Sequence, residues 1–191
     1  MKHFRNIMAL LLAVVMLCGG ALADTSMEYT DDIDELLEGF GSYGETPEDI
    51  ILSTMEIFSW FTIWPLDVDP ELCGGDGNVW RVADDTLCRY DVMMRLLGHT
   101  FSKEIVEEMM AYEVYTIIDG VLYGTSGGRP IDPNIAYVDY EQTESGDDRV
   151  VYTATVHYWD EGENGAAPDE FEFVRQQIDG RWVFTQFPFF W

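Results

Sequence analysis

The chain has 191 residues, with 10 Lys+Arg against 36 Asp+Glu and a formal net charge of −26. A field that negative repels nucleic acid and anionic lipid, and it favours basic partners or cations. Beyond the N-terminus no segment approaches the ~18 consecutive apolar residues of a spanning helix, so stable membrane insertion is not expected, while the length suffices for one domain with a real core.

The N-terminus, MKHFRNIMALLLAVVMLCGGALADTS, has the three parts of a secretory signal peptide. Lys2 and Arg5 form the basic region, Ile7 to Leu17 a short apolar run, and Ala21-Leu22-Ala23 a small-x-small cleavage site. Cleavage after Ala23 gives a secreted, extracellular chain. A lipoprotein anchored through Cys18 is the weaker alternative, because Leu17 is not the small residue that processing wants before the cysteine. Removing residues 1–23 takes two basic residues and no acid, leaving a net of 8 − 36 = −28.

Residues 24–45 are acidic and flecked with Gly and Ser, and read as an arm or linker. The domain expected over 46–191 opens with a helix. Thr46 stands at its N-cap, Pro47 at the first helical position, and Glu48 and Asp49 at the positive end of the dipole. Pro65 stops the helix near Trp64. Ile50, Ile51, Met55, Ile57, Phe58, Trp60, Phe61, Ile63 and Trp64 nearly circle its axis, as in a helix wrapped by the rest of its domain.

Next comes CGGDGNVWRVADDTLC, holding Cys73 and Cys88, the only cysteines after the leader. In an exported chain an even count favours a disulfide, here closing a loop and stabilising by about 3 kcal/mol. Two shorter helices come after it. The first is expected to end near Leu97 with Gly98 just beyond, and the second to be capped by Thr100 or Ser102. After Tyr112 the apolar period becomes two. Asp119-Gly120 and Asp179-Gly180 each lie between apolar runs, the strongest short-range hairpin signal. The fold class is therefore α+β, with N-terminal helices packed in a curved antiparallel sheet of about five or six strands. The terminal WVFTQFPFFW reads as a strand buried on both faces, central to the sheet, with only Phe189, Phe190 and Trp191 free to lie on the surface.

Chemistry is sparse. GTSGGRP resembles the surroundings of a protease serine, but too little chain precedes Ser126 for the fold that would supply its partners. Nucleotide-binding and zinc-protease motifs are missing, no metal or cofactor is implied, and no catalytic role is expected. DVDPELCGGDGN and ESGDDR offer oxygen ligands for Ca²⁺, yet the stretch from Asp67 lacks the glycine of an EF-hand loop. With so many carboxylates, no pair can be nominated for glycan cleavage.

From about Tyr90 onward, LLGHTFSKEIVEEMM, YTIIDGVLYG, TSGGRP, RVVYTATVHYWD and IDGRWVFTQFP succeed one another in an order that resembles the secreted DL-endopeptidase inhibitors of Gram-positive bacteria. The same helix–sheet order also resembles cystatin-like and nuclear-transport-factor-like (NTF2-like) cones. The resemblance implies a non-catalytic bacterial peptidase inhibitor whose partner is a basic cell-wall hydrolase of the NlpC/P60 type. The alternatives are a small-ligand-binding NTF2-like module with Trp60 and Trp64 lining its pocket, or a carboxylate-dependent glycan-acting enzyme. Two exposed loops are the candidate binding surface. One carries Arg129 and Asp132, the other Asp160, Glu161, Glu163 and Asp169.

Overall fold

The computed structural model describes residues 46–75, 77–128, 132, 134–159 and 167–190. The leader over 1–23, the arm over 24–45 and Cys18 lie outside them. Among the described residues, three helices, α1 (Pro47–Thr62), α2 (Tyr90–Thr100) and α3 (Lys103–Met110), accompany eight strands. A small antiparallel sheet has the order β1-β2-β4-β3, from β1 (Val68–Gly74), β2 (Val79–Val82), β3 (Thr116–Ile118) and β4 (Val121–Gly124). A larger antiparallel sheet runs β5-β6-β7-β8, from β5 (Ile135–Ser145), β6 (Arg149–Tyr158), β7 (Asp169–Ile178) and β8 (Arg181–Gln186).

The α+β class is as expected, but two four-stranded sheets replace the single sheet of five or six strands. The reason lies in the segment around the cysteines. It is not a loop: β1 and β2 pair with each other, and β2 then pairs with β4 through Trp80–Gly124 and Arg81–Tyr123. Residues with little strand pattern of their own are recruited by a hairpin that needs a partner.

Local signals set several element ends. Thr46 Oγ1 accepts the Asp49 N–H at 3.1 Å with Pro47 at the first helical position, so α1 begins as its sequence dictates. Asp119 and Asp179 have φ of 50° and 51°, and the glycines after them 77° and 78°. Two positive φ values in succession are what a tight two-residue hairpin turn needs, and Asp-Gly supplies them with little strain. The expectation at Gly98 fails. α2 runs through it to Thr100, whose hydroxyl donates to the Leu96 carbonyl, and the Phe101 N–H continues the ladder to Leu97. Burial of Phe101 holds that last turn helical, and Gly98 is an interior helix residue.

One contiguous core joins both sheets and all three helices. α1 buries Ile51, Met55, Ile57, Phe58, Trp60 and Phe61 around most of its circumference. Trp60 is therefore core, and does not line a ligand pocket. Phe187 is the hub, its ring lying 4.8–5.4 Å from those of Phe58, Phe101, Phe173 and Phe184. Tilted and edge-on rings at these distances add attraction beyond the area they bury. Phe190 is also core, at 9% exposure, stacked 5.0 Å from Phe171. Its expected place on the surface is thus corrected, while Phe189 is 46% exposed as anticipated. Trp191 lies outside the described residues.

β8 is an edge strand, not a central one. Its outer side is covered by the α2–α3 junction, where the Ser102 N–H donates to the Phe184 carbonyl at 2.8 Å and Phe101 bridges Phe184 in parallel. A covered edge removes backbone groups that another strand would seek. Phe184 then faces the core and Val183, also buried, faces the other way.

The disulfide expectation is corrected too: Cys73 and Cys88 are both free thiols, one exposed and one buried. Cys73 sits on exposed β1, whereas Cys88 turns inward beneath β2. The Cys88 thiol donates to the Asp85 carbonyl at 3.3 Å and accepts from the Arg81 guanidinium at 3.2 Å, so its polar capacity is met locally.

Candidate functional site

The large sheet has one face on the core; on the other, Val151, Thr153, Val174 and Val183 are buried, while the acids of β5 and β7 are exposed. Tyr152, Ala154 and Val156 of β6 point inward, as do Phe171 and Phe173 of β7. The alternation of a strand then fixes what the outer face carries. Register places Asp139, Thr155 and Glu170 in one row across β5, β6 and β7, and Glu141, Thr153 and Glu172 in the next. All four carboxylates are exposed, and a threonine separates the acids of each row. The result is a ruled acidic surface with few competing cations.

At the end of these rows the chemistry becomes aromatic. Tyr137 pairs with His157, and their rings stack 4.2 Å apart with only 9° between planes. His157 Nε2 lies 3.3 Å from the Asp139 carboxylate. Two residues on, Trp159 is 75% exposed, and Tyr137 is 54% exposed. Exposed aromatics beside charged rows are the composition of an interaction surface, since rigid rings supply contact area at low entropic cost.

The described ends of the two candidate loops also meet at this end of the sheet. The Ile135–Tyr158 pairing brings the end of one loop against the start of the other. The Trp159 N–H donates to the Asn134 carbonyl at 3.0 Å, tying them together. Asp132 accepts the Asn134 N–H at 2.9 Å and shapes the first loop. Asp169 opens β7 and accepts the Tyr158 hydroxyl at 2.8 Å. That hydrogen bond, then partial burial and the charges of Asp169 and Asp132, raise the phenol above its usual range. Asp132 and Asp169 thus meet around Tyr158. Arg129, Asp160, Glu161 and Glu163 lie outside the described residues.

The glycine-rich stretch of the first loop is seated on the end of α1's exit. A β-carbon on Gly128 would overlap the Trp64 ring and come 3.0 Å from the Ile63 carbonyl. Trp64 is 54% exposed and supports this loop.

Loop composition alone nominated Asp132 and Asp169 but missed Tyr137, His157 and Trp159. A signal was present: His157 and Trp159 fall on the face of β6 opposite Tyr152, Ala154 and Val156. A tryptophan on the polar face of a strand is the feature that needs a reason. Among the described residues no cluster of His, Cys, Asp or Glu is arranged to hold a metal ion, and no helix is long and apolar enough to cross a membrane. No protein-family model matches the chain, and no curated protein is similar to it.

Proposed function

We propose that the protein is a secreted, non-catalytic inhibitor of cell-wall DL-endopeptidases that binds through the outer face of its large sheet and the loops at its aromatic end. The observation that carries this reading is the pair of carboxylate rows ending in the Tyr137–His157 stack and Trp159. Acidic rows steer a basic partner and fix its orientation, and a desolvated tryptophan provides most of the hold. Enzymes that work on an anionic wall are suited by a basic surface, which complements this face. The leader read at residues 1–23 and the order of motifs from Tyr90 support the same assignment. In this reading the helix–sheet body is a cystatin-like or NTF2-like cone put to use from outside.

The alternative of a small-ligand module needs a cavity inside the cone. The rings of Phe58, Phe101, Phe173, Phe184 and Phe187 occupy the space between helices and sheet, which favours a surface mode of binding.

The test is a pull-down of cell-wall hydrolases from the source organism at low and high salt, with a turnover assay on the captured enzyme. Capture of a basic NlpC-type peptidase at low salt, slowed turnover, and inhibition weakened about 30-fold by Trp159→Ala are expected. The reading fails if the protein neither binds nor slows any such hydrolase of its host.

A further inference from the structure

The molecule carries a second polar feature of opposite sign, at the other end of the large sheet. Seven of the eight Lys and Arg residues of 24–191 are described, and at least four of them are neutralised. Arg81 pairs with Asp85, Arg89 with Asp91, Lys103 with Glu107 and Arg149 with Glu144. Arg175 and Arg181 have no carboxylate partner among the described residues, in a chain with 36 acids. Even Asp179, two residues from Arg181 in the turn, does not pair with it.

These two arginines converge with α2. A cavity of about 330 Å³, open to solvent, is lined by Met94, Arg95, Gly98, His99 and Arg181. Arg95 and His99, one helical turn apart, share a face of α2 and look across at the β7–β8 hairpin. Burial holds the His99 imidazole below its usual range, and the positive charges of Arg181 and then Arg175 lower it further. Arg175 lies opposite Phe184 in the sheet, its guanidinium 5.8 Å from that ring, and its buried Nε–H has no acceptor. Arg181, without a carboxylate partner among the described residues, faces His99 across an open cleft, an arrangement that is unfavourable alone and that one oxyanion would relieve.

We propose that the cleft between α2 and the β7–β8 hairpin is an anion-binding site, in which Arg181 and His99, backed by Arg175 and Arg95, hold the carboxylate or phosphate group of a small ligand. Guanidinium forks match the paired oxygens of both groups, and Met94 offers an apolar wall for a short stem. This site is independent of the acidic face and of the inhibitor reading, since it lies at the opposite end of the sheet and needs no protein partner.

The experiment is a titration of the purified full chain, monitored by NMR at the His99 ring, with inorganic phosphate in one arm and succinate in the other. Saturable shifts of His99 in at least one arm are expected, and the stronger arm identifies the group. Arg181→Gln should weaken binding by about ten- to a hundredfold, as loss of a charged hydrogen-bonding group does. Arg89→Gln, whose residue is already paired elsewhere, should leave it unchanged. Gly98→Glu is the decisive variant: a β-carbon there meets nothing within 4 Å, so the new carboxylate enters the cleft and should abolish binding in a folded protein. The site is overturned if neither anion gives a saturable shift. It is equally overturned if Arg89→Gln weakens binding as much as Arg181→Gln, or if a folded Gly98→Glu variant binds undiminished.

Discussion

The hydroxyl of Tyr115 donates a hydrogen bond at 3.0 Å to the main-chain carbonyl of Trp60, 55 residues earlier in the chain. The same oxygen accepts the Leu66 N–H at 2.8 Å. One phenol therefore satisfies the Trp60 carbonyl, whose helical donor, the Trp64 N–H, turns back to Ser59 instead, and the Leu66 N–H just before β1. Tyr115→Phe keeps the ring, which sits edge-on 5.3 Å from Phe61, and strands both backbone groups. A loss of about 1–3 kcal/mol in denaturant unfolding is expected.

The same residue predicts an alkaline limit. Burial pushes the Tyr115 phenol up to about 12, only partly offset by the Leu66 hydrogen bond. The folded state thus favours the protonated form relative to an unfolded tyrosine near 10. The contribution is complete below about pH 10 and is lost as pH rises from about 10 to about 12, for a total of about 3 kcal/mol. Wild type should lose that much more stability than Tyr115→Phe between pH 9 and 12. Parallel pH profiles for the two proteins would show that the phenol is not held in this way.

Two neighbouring phenylalanines separate core from surface. Phe190→Ala removes a ring stacked on Phe171 and set edge-on to Phe173, and is expected to cost about 3–5 kcal/mol. Phe189→Ala, at a half-exposed position, should fall within about 0.5 kcal/mol of wild type. Equal effects in thermal unfolding would contradict the packing described for this segment.

How much of this was legible beforehand depended on whether a residue's role is local. Thr46-Pro47 and the two Asp-Gly turns act through their own backbone, so their sequence was sufficient. Gly98 was ambiguous, because a glycine beyond a helix and one inside it differ only in whether the next few residues stay helical, and burial of Phe101 decides that. β1 was not legible: VDPELCG contains a proline and no clean alternation, and it becomes a strand only because β2, itself paired to β4, stands beside it. Of the candidate surface, the loops were readable from their turn residues. Their meeting at Tyr158 is a product of strand register, which a sequence does not display. The basic cleft was hidden for a similar reason, although Arg95 and His99 at helical spacing and the two arginines around Asp179-Gly180 were visible as separate pairs.

The two cysteines give a direct chemical test. With Cys73 exposed and Cys88 buried and hydrogen-bonded, a thiol reagent should label Cys73 rapidly in the native protein and Cys88 only on unfolding. Reductant should leave the melting temperature unchanged. A reductant-sensitive melt and no native labelling would restore the bridge.

Gly128→Ala tests the support of the first loop. The added methyl must displace Trp64 or shift the Ile63 carbonyl, at a cost of about 1–3 kcal/mol. Tryptophan fluorescence should report the movement of Trp64, and an unshifted spectrum with unchanged stability would place the loop elsewhere.

The contact between Phe58 and Phe187 joins residues 129 positions apart, and most of the ring hub shares that separation from α1. A ribosome delivers α1 long before anything exists to bury its apolar circumference. Productive closure has to await the final hairpin, so folding is slow and the nascent chain spends that interval open. Were the leader proposed at residues 1–23 to direct export, such lateness would be an advantage, because the chain would reach the translocon while it could still be threaded.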